Sequence, residues 1–338
     1  SMIKVLVFLL LLAIVGSLFS GLFFLYRDHG AGERTAFGGM FIDDPFARFA
    51  KVARDDGANF MHYKAHNSGL IDAGDYKQFI FPLLFYKRVS DVWEEEYQAA
   101  LANSGGDLSY AQFAENHRFQ IPQGAHWNDV RQAPKNVGAA IQKAMRAIET
   151  ANPDLLDGIF GDAPWTNRER LPDETLKNLI EHFSTQTLSV ANVPEDELGN
   201  AYEYLIKKFA DDSGHTAAEF YTNRTVVHLM TQLLAPQAGE SIYDPTCGSG
   251  SLLLKAHASA KSATGFDLAI YGQEMDNATA ALSRMNMLIH NAAGAEIKNN
   301  NTLSTPEFKD AKTGGLKTFD YVVANPPFSV KSWTIGVN

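Results

Sequence analysis

The chain has 338 residues, 45% of them hydrophobic, a formal charge of −10 and one cysteine. That length allows two domains with cores of their own. A single thiol excludes a disulfide framework, and the acidic balance excludes a protein that coats nucleic acid by bulk electrostatics, though not one that meets DNA through a local basic patch or a partner subunit.

The first predicted element is the uncharged run VLVFLLLLAIVGSLFSGLFFLY, from Val5 to Tyr26. A helix rising about 1.5 Å per residue would carry it across a hydrocarbon layer roughly 30 Å thick. Gly16/Ser20 and Ser17/Gly21 are small-residue pairs that would let two such helices approach closely. A buried soluble helix is the alternative; a cleaved signal peptide has a shorter apolar core. SLFSGLFFLYRDHGAGERTAFG resembles the first hairpin half of small twin-transmembrane bacterial proteins. Residues 1–40 thus read as a membrane helix and hinge foreign to the rest.

Residues 41–172 read as a helical domain. In YKQFIFPLLFYKRVSDVWEEEYQAAL, residues Phe79, Leu83, Tyr86, Val89, Val92 and Trp93 fall on one helix face, and Pro82 marks a kink or a first turn. DVWEEEY reads as a solvated face. APKNVGAAIQKAMRAIETANPDLL is a second helix, and Pro172-Asp173 and Pro194-Glu195 open two more, with acids in their first turns.

Beyond about residue 210 the pattern changes. RTVVHLMTQLL is a helix, ESIYD a strand, SLLLKAHASA a helix, AIYGQEM a strand, DNATAALSRMNMLIHNAAG a helix, AEIKNNNTL a strand and TFDYVVANPP a fourth strand. The alternation predicts an α/β, doubly wound, mostly parallel sheet. Asp244-Pro245-Thr246-Cys247-Gly248-Ser249-Gly250 sits where such sheets bind ligands, between strand and helix. Gly-x-Gly by itself also serves as a plain tight turn, but neither a P-loop nor a G-x-G-x-x-G pattern is present. Glu274, ending the second strand, is a solvated charge or an acceptor for ribose hydroxyls. Turn and acid together favour S-adenosylmethionine over a nicotinamide cofactor.

Asn325-Pro326-Pro327-Phe328 ends the fourth strand. An amine on an aromatic ring is a poor nucleophile because its lone pair is delocalised. The Asn325 side-chain carbonyl and the Pro326 backbone carbonyl can accept from its N–H groups and hold the lone pair toward a methyl donor. Phe328 offers a face for a base that has left its helix. Alone, Asn-Pro-Pro is also an ordinary turn.

AEFYTNRTVV, DPTCGSGSLLL, GQE and NPPFSVKSW, in this order, resemble an N6-adenine DNA methyltransferase, specifically the modification subunit of type I restriction–modification systems; DYKQFIFPLLFYKRVSDVWEEEY resembles that family's N-terminal helical domain. The resemblance implies a helical domain followed, over residues 173–338, by an S-adenosylmethionine-dependent, Rossmann-like domain. It implies a cytoplasmic enzyme acting on DNA beside a specificity subunit and a restriction subunit, or facing the cytoplasm if Val5–Tyr26 inserts in a membrane. By motif, Glu219, Phe220, Tyr221, Thr222, Asn223 and Arg224 would line the cofactor pocket, with Asn223 where the family commonly has Pro. Asp244, Gly248, Ser249, Gly250 and Ser251 would wrap the methionine end, and Glu274 would hold the ribose. Asn301 would meet the adenine, at a position where relatives often have Asp. Asn325, Pro326, Pro327 and Phe328 would hold the flipped base. Ribosomal-RNA and protein-glutamine methyltransferases share Asn-Pro-Pro-aromatic and form the alternative, as does an inactive membrane-anchored remnant. The family's sheet has seven strands, against four predicted here, so DYVVA is expected at an edge and the chain is expected to be an incomplete, inactive fragment. His62 and His66 read as surface residues, and Cys247 as a small buried filler.

Overall fold

The computed structural model describes residues 77–212, 222, 224–237, 239–265 and 267–326. The Val5–Tyr26 run, His62 and His66, and Glu219, Phe220, Tyr221, Asn223, Pro327 and Phe328 lie outside the described residues. Among the described residues no helix is long and apolar enough to cross a membrane.

Before Ser241 the described elements are helices. The first, α1 (Lys77–Asn103), passes through Pro82. One apolar face was expected of it, but Phe79 through Ser90 are all buried. The reason is that α1 is central and aromatic rings meet it on several sides. Phe79 packs on Trp165, Phe81 on Tyr202, Phe85 on Phe160 and Tyr86 on Trp127, with ring centroids 4.7–5.9 Å apart. Two further helices, α2 (Val137–Ala151) and α3 (Asp173–Phe183), are joined by a carboxylate: Asp173 accepts from the Asn136 and Val137 amides at the start of α2, at 2.7 and 3.0 Å.

The polar side of α1 grips the segment that leads to α4 (Glu195–Asp212). Buried Arg88 donates through Nη1 to the carbonyls of Leu188, Ser189 and Val193 at 2.7–2.8 Å. Asp91 accepts from the Leu188 amide at 2.6 Å, and Glu95 from Val190 and Ala191, both at 2.9 Å. The expectation of a solvated face at DVWEEEY is therefore corrected. Glu95 holds backbone, Glu96 pairs with Arg118 at 3.0 Å, and Trp93 stacks on His117 and Tyr97. These acids satisfy loop amides that no helix or sheet would otherwise pair.

After α5 (Arg224–Leu234) comes a four-stranded, wholly parallel sheet in the order β3-β2-β1-β4, comprising β1 (Ser241–Asp244), β2 (Ala269–Glu274), β3 (Glu296–Asn299) and β4 (Tyr321–Val322). Helices α6 (Ser251–Thr264) and α7 (Asn277–Ile289) connect the first three strands. Ile242, Ile270 and Ile297 join residues of α5 and α6 and Met287 of α7 in one core. On the opposite face Tyr243 and Tyr271, paired in register, are covered by Phe308 and Phe319, with Lys317 Nζ 3.7 Å from the Tyr271 ring centroid. Doubly wound helical cover was expected there; among the described residues an aromatic clasp takes its place, because two tyrosines side by side present flat ring surface. Among the described residues the DYVVA strand lies at an edge of the sheet, as expected, and Val322 is 60% exposed.

Replacing Arg88 by Met should lower unfolding free energy by about 3 kcal/mol or more, since three buried carbonyls lose a charged donor. Replacing Arg118, half exposed in its pair with Glu195, by Ala should cost less than about 1 kcal/mol. Urea denaturation of the two variants checks the contrast.

Candidate cofactor and substrate site

Parallel strands end on the same side, and the order β3-β2-β1-β4 places the switch of direction between β1 and β4. Asp244, Glu274, Asn299 and the Asn325 segment all lie at that carboxyl edge. Two motifs far apart in sequence meet there: Asn325 Nδ2 donates to Thr222 Oγ1 at 3.2 Å. Pro326 follows Asn325, and Arg224 opens α5.

The turn after β1 is built around Asp244. Its carboxylate, 3% exposed, accepts from the Thr246 amide at 2.9 Å. The Cys247 amide donates to Gln273 O at 3.0 Å, extending the β1–β2 pairing into the turn. Gly248 has φ +54 and Gly250 φ +78, both left-handed. A Cβ on Gly250 would also lie 2.5 Å from Met287 Cε and 2.7 Å from Ser283 Oγ, so those side chains would have to shift in addition to the strain at φ +78. Ser249 is buried, and its hydroxyl lies 2.9 Å from that of Ser251. Cys247 is buried as a filler, and burial pushes its thiol well above the usual range.

Glu274 reaches back over this turn, accepting from the Gly248 and Asp276 amides at 3.0 and 2.9 Å. Burial raises both carboxyls. Asp244 is pushed up to about 7, with the Thr246 amide opposing the rise and the Glu274 charge adding to it. Glu274 is raised by burial against the pull of its two amide donors. Neither has a basic side chain beside it among the described residues. Two partly desolvated carboxyls on a glycine turn fit a ligand with hydroxyl donors and positive charge. Asn301 reaches the same edge, but its Oδ1 accepts from the Leu303 and Ser304 amides and so shapes its own turn.

Sequence reading passed over four residues. Met275, directly after Glu274, is 67% exposed and offers an apolar surface at the ligand edge. Thr302 Oγ1 donates to Pro245 O at 2.5 Å. Ser283 and Asn286, on α7, underlie the turn. A signal for the last two existed, since they are polar residues three apart within the apolar run ALSRMNMLI.

Between pH 3.8, the ordinary value, and about 7, folded Asp244 keeps a proton that the unfolded chain has released. Stability should therefore fall as pH rises through that window. Asp244→Asn should flatten this dependence and raise unfolding free energy at pH 8 by up to about 4 kcal/mol, with a residual slope of the same sign from Glu274. Calorimetric scans from pH 4 to pH 8 check it.

The family described as N-6 DNA Methylase matches residues 193–337, and the HsdM N-terminal domain matches residues 65–183. A family of unknown function matches residues 3–37. The chain is 33% identical over 205 residues to the type I restriction enzyme MjaIX methylase subunit of Methanocaldococcus jannaschii, covering 59% of this chain and 34% of that protein. It is 27% identical over 305 residues to the MpnII methylase subunit of Mycoplasma pneumoniae, covering 78% and 56%. The crystal structure of the type I restriction-modification system methyltransferase subunit from Streptococcus thermophilus superposes with TM-score 0.64 at 25% identity, over 84% of this chain and 64% of that one. The chain thus spans between about a third and just over half the length of these two curated relatives.

Proposed function

We propose that this chain, which belongs to the family of type I restriction–modification methylase subunits, serves in methyl transfer from S-adenosyl-L-methionine to N6 of adenine in DNA. The observation that carries the reading is the meeting of Asp244, Glu274 and Asn325 at one sheet edge, with Thr222 fixing the Asn325 amide.

When bound, the cofactor supplies an electrophilic methyl group. Glu274 would accept from its ribose hydroxyls, and Asp244 with the Gly248–Ser251 backbone would face its methionine end. Met275 would lie against its adenine, with Asn301 shaping the rim. Because Thr222 Oγ1 engages Asn325 Nδ2, the Asn325 carbonyl oxygen is turned to accept from the substrate amine. The Pro326 carbonyl is the second acceptor, and two acceptors on one amine hold its lone pair toward the methyl group. Pro327 and Phe328 complete the grip on the flipped base in this reading. Target choice would fall to a specificity subunit and cleavage to a restriction subunit, in the cytoplasm. Membrane insertion through Val5–Tyr26 forms no part of it.

The test is transfer of labelled methyl groups to DNA by the protein assembled with its specificity subunit. Asn325→Ala should reduce transfer by about a hundredfold or more, with the Kd for S-adenosylhomocysteine within about threefold of wild type. Glu274→Ala should weaken that Kd by about tenfold or more. Label appearing in RNA or ribosomal protein instead of DNA would overturn the reading.

A further inference from the structure

Helix α7 carries a buried polar side chain that the chemistry above leaves unused. Asn286 is 0% exposed, and its Nδ2 donates to the Ser249 carbonyl at 2.9 Å. Its Oδ1 is buried with no hydrogen-bond partner among the described residues. An orphaned buried acceptor is destabilising, and a leucine of similar size would be free of it. Packing alone therefore does not account for an asparagine here. What the side chain does hold is the backbone of the glycine turn. Its neighbours on α7 press on the same turn, since Ser283 Oγ and Met287 Cε stand where a Gly250 Cβ would be.

The helix is also fixed from behind. The helical part packs closely on α7: a Cβ on Gly199 would lie 2.6 Å from the His290 ring and one on Gly158 3.1 Å from Arg284 Nη1, while Gly161 meets Ala281 at ordinary contact distance. Arg284 Nη1 donates to the Asp157 carbonyl at 3.4 Å. Asn286 thus projects from a helix braced on one side toward the turn on the other.

We propose that Asn286 is a positioning residue that sets the Gly248–Ser251 backbone for cofactor binding. The inference rests on the reading of that turn as the S-adenosyl-L-methionine site. Calorimetric titration of wild type and Asn286→Leu with S-adenosylhomocysteine, with thermal unfolding of both, tests it. The expected result is a Kd weakened by about tenfold or more in a variant whose unfolding midpoint stays close to that of wild type, since the relief of the orphaned Oδ1 is offset by the loss of the donor to the Ser249 carbonyl. A Kd within about twofold of wild type overturns the proposal and leaves the functional reading intact. A wild type that binds no S-adenosylhomocysteine overturns the functional reading itself. Should Asn286→Leu unfold, hydrogen exchange on wild type decides. Ligand-induced protection at 283–287 together with 248–251 supports the role, and protection confined to 248–251 overturns it.

Discussion

The parallel pairing of β1 with both β2 and β4 is the constraint on which the molecule depends. Because all four strands run the same way, their carboxyl ends, with Asp244, Glu274 and Asn299 among them, fall on one edge. The change of direction between β1 and β4 opens that edge to a ligand. The pairing also fixes which face each residue occupies. Ile242 and Ile270 turn together into the helical core, while Tyr243 and Tyr271 turn together to the aromatic clasp. A slip of one residue would exchange the two faces and put tyrosine hydroxyls into the apolar core.

At the edge itself, folding works against solvation. Asp244 is almost wholly desolvated with no cation beside it among the described residues, and Glu274 lies close enough to raise it further. Amides from Thr246, Gly248 and Asp276 satisfy part of the two carboxyls' acceptor capacity. The rest is available to hydroxyl donors or positive charge. The turn tolerates this because it is held from both sides, by the Cys247 amide on β2 and by Asn286 on α7. Local instability at a site braced by its surroundings is the ordinary condition of a binding edge.

The helical part takes a share in that bracing. Arg88, Asp91 and Glu95 form one polar stripe on α1 that satisfies the backbone of residues 188–193 and so fixes where α4 begins. From α4, Gly199 reaches His290 at the end of α7. A continuous line of contacts therefore runs from α1, through α4, to the helix beneath the glycine turn. Burying a charged Arg88 is tolerable because three carbonyls converge on it and the Glu195, Glu95 and Asp91 carboxylates lie nearby.

The sequence by itself determined the succession of helices and strands, the glycine turn and its acid, and the Asn-Pro-Pro-Phe tip. All of these are local: periodicity, turn chemistry and strand-end residues act over a few positions, and the motifs' order added the family resemblance. It also led to a solvated face at DVWEEEY and a single apolar face on α1. The first was wrong, because whether Glu95 meets water or the amides of Val190 and Ala191 depends on a segment nearly a hundred positions away. The second was incomplete, since Phe79, Leu83, Tyr86, Val89 and Val92 are buried but so are the residues between Phe79 and Ser90. Only tertiary structure decided that Thr222 holds Asn325, that Asn301 shapes its own turn, and that α7 supports the glycine loop. Those contacts arise from strand order and helix docking, which set distances between residues whose spacing along the chain carries no trace of them.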